Sequence, residues 1–251
     1  MLNTDDKSVG LWFDELSTVE VAEAARQGRV VIFPVGSVEE HGEHLPLCTD
    51  SIQPEYVALE VARRTGCLVV PPFRYGIINA GRNFSGSLTI QFNTLFNVAK
   101  DILSELSRNG FNRIIVLSGH AGSSHMVALR LAAQEVIRQN GEKNGKQYTR
   151  IMVLSDYDLA EELREDIADP TDGHAGAIET ARVMAIRPDI IKSKGIPGNY
   201  KLPRFEVVLH PEQYFPTGVL GNPTTATTEK GQKINTHVIE QVTKLVQELQ
   251  T

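Results

Sequence analysis

Residues 30–50 read VVIFPVGSVEEHGEHLPLCTD. The apolar run at 30–33 is typical of a buried strand, and the glycines and proline that follow it favour an irregular loop. The loop carries six side chains able to bind a metal or exchange a proton: Glu39, Glu40, His41, Glu43, His44 and Asp50. Open α/β sheets place such side chains at the ends of their strands. The stretch therefore predicts an α/β fold with a polar site at a strand end.

Two interpretations of this loop are open at the level of the sequence. Carboxylates and imidazoles together suit zinc, manganese or iron, whereas an acidic loop is more commonly solvated surface. Apolar residues on both sides, at 30–33 and 45–47, favour burial. Because a buried carboxylate needs a counter-charge, we interpret the loop as part of a metal site.

Short apolar strands alternate with helical patterns along the rest of the chain. Strands are predicted at 30–33, 67–70, 114–117 and 150–154, and helices at about 18–27, 56–64, 95–108, 126–138 and 228–249. The alternation predicts βαβ units with a mostly parallel sheet and helices on both faces, which is a three-layer α/β/α sandwich. No linker or internal repeat divides residues 1–251, so we predict a single domain.

Composition argues against two classes of partner and favours a cytoplasmic location. The net charge of -6 provides no basic face for nucleic acid or anionic lipid. No apolar run is long enough to span a bilayer, and the polar start MLNTDDK does not resemble a signal peptide. Two cysteines, Cys48 and Cys67, are too few for a disulfide framework. Cys48 is a candidate nucleophile, ligand or packing residue, and packing is favoured because no local context activates a thiolate.

Two further polar segments lie beside predicted strands or helices. Residues 120–125 follow the strand at 114–117, and residues 174–179 precede a helix. A lone histidine is more often a surface or hydrogen-bonded core residue than a ligand. Three such segments, each combining histidine or carboxylate with glycine, instead predict one shared site. A two-metal site needs a bridging carboxylate and about two further ligands per metal, which these segments can supply.

These motifs resemble those of the creatininase (creatinine amidohydrolase) family. GSVEEHGEHLPLCTD at 36–50 is similar to the family signature G-S-x-E-Q-H-G-x-H-L-P-x-x-x-D. FSGS at 84–87, SGHAGS at 118–123, HAGAIET at 174–180 and GVLGNP at 218–223 follow in the family's order. The resemblance covers most of the chain. It implies an α/β sandwich, a two-metal centre and a hydrolytic reaction.

The resemblance also implies a set of metal ligands. Glu39 and His41 would each bind a different metal, Asp50 would bridge the two metals, and His120 would join Glu39 on the first. The cations, which we expect to be zinc, manganese or iron, would lower the pKa of a bound water and polarise the substrate carbonyl.

One position departs from the family pattern. Creatininase has a metal-binding glutamate two residues after the equivalent of His120, and this chain has Gly122 there. We expect Glu179 to supply the missing ligand, and a site with one metal is the alternative. His174 is expected to pass a proton to the leaving nitrogen, or else to orient Glu179. His44 is expected to support a ligand rather than to be one.

We therefore expect a metal-dependent hydrolase that acts on a small polar molecule, most readily at the C–N bond of a linear or cyclic amide. The alternatives are a hydrolase that opens a carbocyclic keto-sugar ring and a non-catalytic metal-binding relative. A hydrolase that uses the Cys48 thiol is a further alternative. The family resemblance also implies a homo-oligomer, specifically a hexamer.

The sequence argues against creatinine itself as the substrate. Creatininase holds this flat ring with tryptophans, whereas this chain has only Trp12, far from the site motifs, and Pro170 where one of those rings would fall. Other family members are understood to act on a formamidopyrimidine nucleotide, a peptide or a keto-sugar. Arg82, in a polar glycine-containing loop, is either a ligand for substrate hydroxyls or phosphate, or part of a simple connector.

Overall fold

The structure is a computed structural model that describes residues 11–144, 149–201 and 203–251. Its sheet has four parallel strands in the order β2-β1-β3-β4: β1 Val31–Val35, β2 Leu68–Val69, β3 Arg113–Ser118 and β4 Arg150–Ser155. The α-helices of the described residues are α1 Thr18–Arg26, α2 Thr49–Thr65, α3 Phe92–Arg108, α4 Ser123–Asn144, α5 Asp156–Glu161, α6 Arg164–Ile167, α7 Ala177–Ile186 and α8 Thr228–Gln250.

Helices cover both faces of the sheet because the central strands are apolar on both sides. Phe33 and Val116 pack in a core with residues of α3 and α4. Ile32 and Ile115 point the other way, into a second core with residues of α2, α7 and α8. Strands buried on both faces read as continuous apolar runs, as these do. The predicted α/β class, with a parallel sheet between two helical layers, is confirmed.

The strand order places the polar segments at one point. The chain passes from β1 through α2 to β2 on one side of the sheet, and then returns to add β3 and β4 on the other side. The order therefore reverses between β1 and β3. In open α/β sheets, ligands bind beyond the carboxyl ends of the strands at such a reversal. Glu39 follows β1 and His120 follows β3, so both lie at this position.

The helix predicted at 56–64 begins earlier, at Thr49. Asp50 therefore lies in the first turn of α2 and not in the loop to which the sequence assigned it. Pro54 lies inside α2, where a proline normally argues against a helix because it removes the bond to the carbonyl four residues earlier. That carbonyl belongs to Asp50. Helices α3 and α4 also begin three residues earlier than expected, at Phe92 and Ser123.

Three further features concern the start of the chain and membrane-spanning segments. A capping box begins α1, with the Ser17 side chain accepting from the Glu20 N–H. The polar segment 1–7, from which we predicted the lack of a signal peptide, lies outside the described residues. Within the described part of the chain, no helix has the length and apolar character needed to cross a bilayer.

Two glycines at the strand ends let α2 rest directly on the sheet. A Cβ at Gly36, just after β1, would lie 2.6 Å from the Asp50 carbonyl oxygen. A Cβ at Gly119, just after β3, would overlap the same oxygen and approach the Pro54 ring at 2.6 Å. Because neither residue has a side chain, the first turn of α2 can approach both strand ends. This contact places Asp50 between β1 and β3.

Replacing Gly119 with alanine is expected to destabilise the fold by about 1–3 kcal/mol, because the added methyl group would overlap backbone that cannot move aside. Denaturant unfolding measures the loss. Gly66→Ala is the control. An added Cβ at Gly66 meets no described atom within 4 Å, so only its left-handed backbone contributes a cost of about 1 kcal/mol. An unchanged free energy of unfolding in Gly119→Ala would contradict the close approach.

Candidate metal centre

The six predicted site residues come together at the carboxyl edge of the sheet. They form two groups, and in each group the potential ligand atoms lie within 4.8 Å of one another. The first group is Glu39, Asp50 and His120, and the second is His41, His174 and Glu179. The structure thus brings together side chains from the loop after β1, from α2, from the turn after β3 and from the start of α7.

Asp50 links the two groups. Its Oδ1 lies 3.0 Å from Nε2 of His41, and its Oδ2 lies 3.1 Å from Nδ1 of His120. The Ser37 hydroxyl donates to Oδ2 at 2.5 Å. Each carboxylate oxygen therefore faces a different histidine, which is the arrangement that a bridging carboxylate requires.

Backbone carbonyls set the orientation of two of the histidines. His41 Nδ1 lies 3.1 Å from the Glu39 carbonyl, and His120 Nε2 lies 2.9 Å from the Ile77 carbonyl. Since a carbonyl can only accept, each of these nitrogens carries the proton. In the neutral form that binds a metal, the lone pairs would be on Nε2 of His41 and on Nδ1 of His120, and both of these nitrogens face carboxylates. Hydrogen bonds of this kind are how proteins orient metal-binding histidines.

Glu179 and His174 complete the second group. Glu179 Oε2 accepts from the Ala175 N–H at 2.6 Å and lies 3.7 Å from Nε2 of His41. The His174 and His41 rings are 4.3 Å apart between centroids. His174 Nε2 donates to the Glu40 carbonyl at 2.8 Å, which leaves Nδ1 available. The sequence placed His174 outside the ligand set, whereas the structure places it beside two of the proposed ligands.

The backbone between these two residues is strained. Ala175 has φ 54°, and among the described residues no other non-glycine has a positive φ. Non-glycine residues with a left-handed backbone conformation persist where the surrounding structure requires it, and they concentrate at functional sites. Here the unusual conformation directs the Ala175 N–H toward the Glu179 carboxylate.

Burial and opposite charges determine the protonation of the cluster. Burial by itself would lower the pKa of His41, but Asp50 and Glu179 outweigh it and raise the pKa to about 10. Burial would raise the pKa of Asp50, but His41 and His120 hold it well below its usual range. Burial raises the pKa of Glu179. The buried carboxylates thus need the positive charge that faces them.

The same cluster fits a divalent cation. His41 Nε2 is buried and has no hydrogen-bond partner among the described residues, and it lies 3.0 Å from Asp50 Oδ1. An unpartnered imidazole nitrogen facing carboxylate oxygens is a donor set suited to zinc or manganese.

Gly122 has no side chain to offer, and His120 occupies the adjacent space. A Cβ at Gly122 would lie 2.5 Å from His120 Nε2. The group that contains His41 instead includes Glu179 and His174.

Several residues that the sequence did not assign a definite role support the cluster. His44 Nε2 lies 2.9 Å from the Thr180 hydroxyl, next to Glu179. Glu40 is buried, and its Oε1 lies 3.3 Å from His174 Nε2. Cys48 is the residue that precedes α2. His44 was expected to support a ligand, and here it contacts the residue next to Glu179.

A cavity of about 340 Å³ opens over the cluster. Its walls include aromatic rings and neutral polar groups: Asn79, Ser123, Tyr157, Tyr200 and Phe215. None of the described residues that line it is lysine or arginine, and Arg82 is exposed and not in its wall. Sequence reasoning missed Tyr157. Its position directly after β4, at the same sheet edge as Glu39 and His120, was the available signal.

The family model for creatininase, described as creatinine amidohydrolase, matches residues 14–246. The chain belongs to the creatininase family. The creatinine amidohydrolase of Pseudomonas putida is 29% identical over 229 residues, covering 82% of this chain and 84% of that protein. The mycofactocin precursor peptide peptidase of Mycobacterium ulcerans (strain Agy99) is 27% identical over 243 residues, covering 90% of this chain and 88% of that protein.

Solved creatininase structures share the fold. A manganese form has a TM-score of 0.86 and 25% identity, covering 95% of this chain and 98% of that one. A zinc–zinc form of a creatininase variant has a TM-score of 0.82 and 26% identity, covering 95% and 97%. The predicted family is confirmed, and so is the prediction of a family hydrolase of the amidohydrolase type with metal-binding residue groups.

His44 is expected to make the metal-free creatininase-family fold sensitive to acid. Burial, together with His41, lowers the pKa of His44 from 6.5 to about 4. The unfolded chain then takes up this proton first as pH falls. The stability contributed by neutral His44 is complete above pH 6.5 and is lost between pH 6.5 and about 4.

Thermal unfolding of chelator-treated protein between about pH 7 and pH 4.5 measures this loss. His44→Gln should lose less stability over that range than the parent. His210→Gln is the control, because His210 is a surface histidine paired with Glu212. If His44→Gln and the parent lose equal stability over this pH range, His44 does not cause the acid sensitivity.

Proposed function

We propose that this protein is a metal-dependent amidohydrolase that uses two divalent cations to cleave a C–N bond in a small, neutral substrate. The proposal rests chiefly on the Asp50 carboxylate, whose two oxygens face His41 and His120 at 3.0 and 3.1 Å. Two ligand groups that share one carboxylate beneath a cavity match the requirements of a two-metal hydrolase.

We assign Glu39, Asp50 and His120 to the first cation, and Asp50, His41 and Glu179 to the second. Zinc or manganese is favoured by the mixed imidazole and carboxylate donors and by the zinc and manganese forms of related creatininases. Bound there, the cations would supply a water activated for attack near neutral pH and would polarise the scissile carbonyl.

His174 is proposed to transfer the proton to the leaving nitrogen. Its ring lines the cavity, and the Glu40 carbonyl holds its Nε2 in place. Burial and the neighbouring His41 lower the pKa of His174, but Glu40, Glu39 and Glu179 outweigh them, so the pKa lies above 6.5. A histidine that retains a proton near neutral pH is a suitable general acid.

The cavity favours a neutral and compact substrate. Its volume of about 340 Å³ is at the small end of the range for small-molecule sites. The lack of lysine and arginine among the described wall residues provides no partner for a phosphate group, which argues against a nucleotide. The aromatic wall of Tyr157, Tyr200 and Phe215 suits a flat amide or lactam ring, so the missing tryptophans do not exclude a ring of this kind.

Tyr157 is proposed to donate a hydrogen bond to the substrate. Its hydroxyl is buried and has no partner in the described part of the protein. Burial raises the pKa of Tyr157, so the hydroxyl keeps its proton. An acceptor on a molecule in the cavity would satisfy it.

We also propose a cytoplasmic homo-oligomer, with a hexamer implied by the family resemblance. Support for assembly comes from a segment of exposed apolar side chains, in which Phe205, Val207 and Leu209 are 87%, 98% and 82% exposed. Apolar side chains this exposed are typical of contact surfaces between chains.

Metal analysis after dialysis tests the ligand assignment. The parent is expected to retain two zinc or manganese ions per chain. Asp50→Asn should lose both, and Glu179→Gln should lose one, with affinity lowered by at least about 100-fold because a ligand is removed. Glu43→Gln is the matched control, since Glu43 is an exposed carboxylate of the same loop. Equal metal content in Asp50→Asn and Glu43→Gln would contradict the assignment.

A hydrolysis screen tests the activity. Creatinine, small lactams and formylated amines are incubated with the enzyme, with and without a chelator. At least one neutral amide is expected to be cleaved, the chelator should abolish cleavage, and added zinc or manganese should restore it. Phosphorylated amides should be poorer substrates than their neutral counterparts.

Cys48→Ala should retain chelator-sensitive activity, which would reject a thiol hydrolase. Tightly bound metal without cleavage of any amide would instead support a non-catalytic relative. Turnover of cyclic ketones alone would support the keto-sugar alternative.

A further inference from the structure

A buried ion pair adjoins the metal centre without belonging to it. Arg182 lies in α7, three residues after Glu179, and its side chain is fully buried. Its Nη2 donates to Asp156 Oδ2 at 2.6 Å, and its Nε donates to Asn235 Oδ1 at 3.0 Å. Asp156 follows β4, and Asn235 lies in α8. The guanidinium therefore joins α7 to the end of a strand and to a second helix.

This pair is poorly suited to stabilising the fold. Both charges are removed from water, and their attraction offsets that cost only when the remaining hydrogen bonds are made. Asp156 Oδ1 and Arg182 Nη1 have no hydrogen-bond partner within the described residues. The same core contains apolar side chains: Ile178, Ala181, Ile234 and Val238. Apolar residues of similar volume generally stabilise a buried position as well as an ion pair does, or better. The presence of this ion pair therefore requires an explanation other than stability.

The orientation of α7 provides that explanation. The helix is ten residues long and carries Glu179 in its first turn. Glu179 Oε2 lies 3.7 Å from His41 Nε2, and a small rotation or slide of α7 would change this separation. Metal–ligand distances tolerate only about ±0.2 Å. An apolar contact does not specify rotation this closely, whereas hydrogen bonds of fixed direction do.

The hydrogen bonds of Arg182 have that directional character. The planar guanidinium presents its donors in a fixed geometry, and here two of them point to two different elements. Asn235 Nδ2 also donates back to the Arg182 carbonyl at 3.3 Å. Together these bonds limit both rotation and sliding of α7 relative to β4, whose next residues include Tyr157 in the cavity wall.

We propose that Asp156, Arg182 and Asn235 are positioning residues that hold Glu179 in place for metal binding. The proposal rests on the proposed function, because that function gives Glu179 a metal to bind. It goes beyond that function by assigning a role to three residues that touch neither metal nor substrate.

The test uses Arg182→Met combined with Asp156→Leu in the full-length protein. This double variant leaves no buried charge unpaired, so it should unfold at or above the parent's temperature. It should nevertheless bind its more weakly held zinc ion about 10- to 100-fold less tightly, as is typical when a residue supporting a ligand is lost. Competition with a chromophoric chelator measures the affinity. The visible absorption of the Co²⁺-substituted protein should also change.

Arg187→Met combined with Asp189→Leu is the matched control. This exposed, bidentate pair lies just beyond the end of α7. Its loss should leave both the zinc affinity and the Co²⁺ spectrum unchanged.

A folded Arg182→Met/Asp156→Leu protein with zinc affinity within about twofold of the parent, and with the parent's Co²⁺ spectrum, would overturn the proposal. If that variant does not fold, Arg182→Lys decides by the same criteria. Lysine keeps the charge opposite Asp156 but loses the fork that also reaches Asn235.

Failure of the proposed function gives a different result. A parent that binds zinc through Glu179, yet cleaves no amide, refutes the activity and leaves the positioning role supported by a weakened double variant. Zinc affinity that is unchanged in Glu179→Gln overturns the positioning role itself.

Discussion

The carboxylate of Asp50, shared between His41 and His120, is the contact on which the rest of the site depends. It is possible only because the first turn of α2 rests against the ends of β1 and β3. Gly36 and Gly119 permit that approach, since neither has a side chain to keep the helix away. The reversal of strand order at the same place makes the two strand ends adjacent. Asp50 therefore takes part both in the packing of α2 on the sheet, through its backbone, and in the polar site, through its carboxylate.

Burying so much charge is costly, and the protein compensates for it in two ways. Glu39, Asp50 and Glu179 face imidazoles, in two groups that could each hold a metal ion. Asp156 instead faces the permanent charge of Arg182, which cannot be exchanged. The first arrangement suits a site that exchanges protons for metal ions, and the second suits a fixed connection between helix and strand. The two kinds of compensation lie side by side at the end of the sheet.

The wall of the cavity adds a second set of side chains to the site, beside the groups that could hold a metal. Two groups of potential metal ligands border the cavity. Apart from those potential ligands, the wall carries three aromatic rings and the polar side chains of Asn79 and Ser123, and its described residues include no lysine or arginine. Since metal chemistry alone does not choose a substrate, substrate selection depends on the residues of this wall. Among these residues, Tyr157 has a buried hydroxyl that makes no hydrogen bond with any described residue.

The sequence by itself determined the family, the parallel α/β class and most of the metal-binding candidates. These follow from local signals: apolar strands, and histidines and carboxylates clustered next to them, as at Glu39 and His41. Tertiary structure decided the rest. Asp50 was assigned to a loop because helical periodicity is recognisable only from residue 56, whereas α2 begins at Thr49 with its first turn packed against Gly119. The partnership of Arg182 with Asp156, 26 positions apart, has no periodic or motif signal. Such contacts depend on how helices pack against strand ends, and a one-dimensional pattern does not record that geometry.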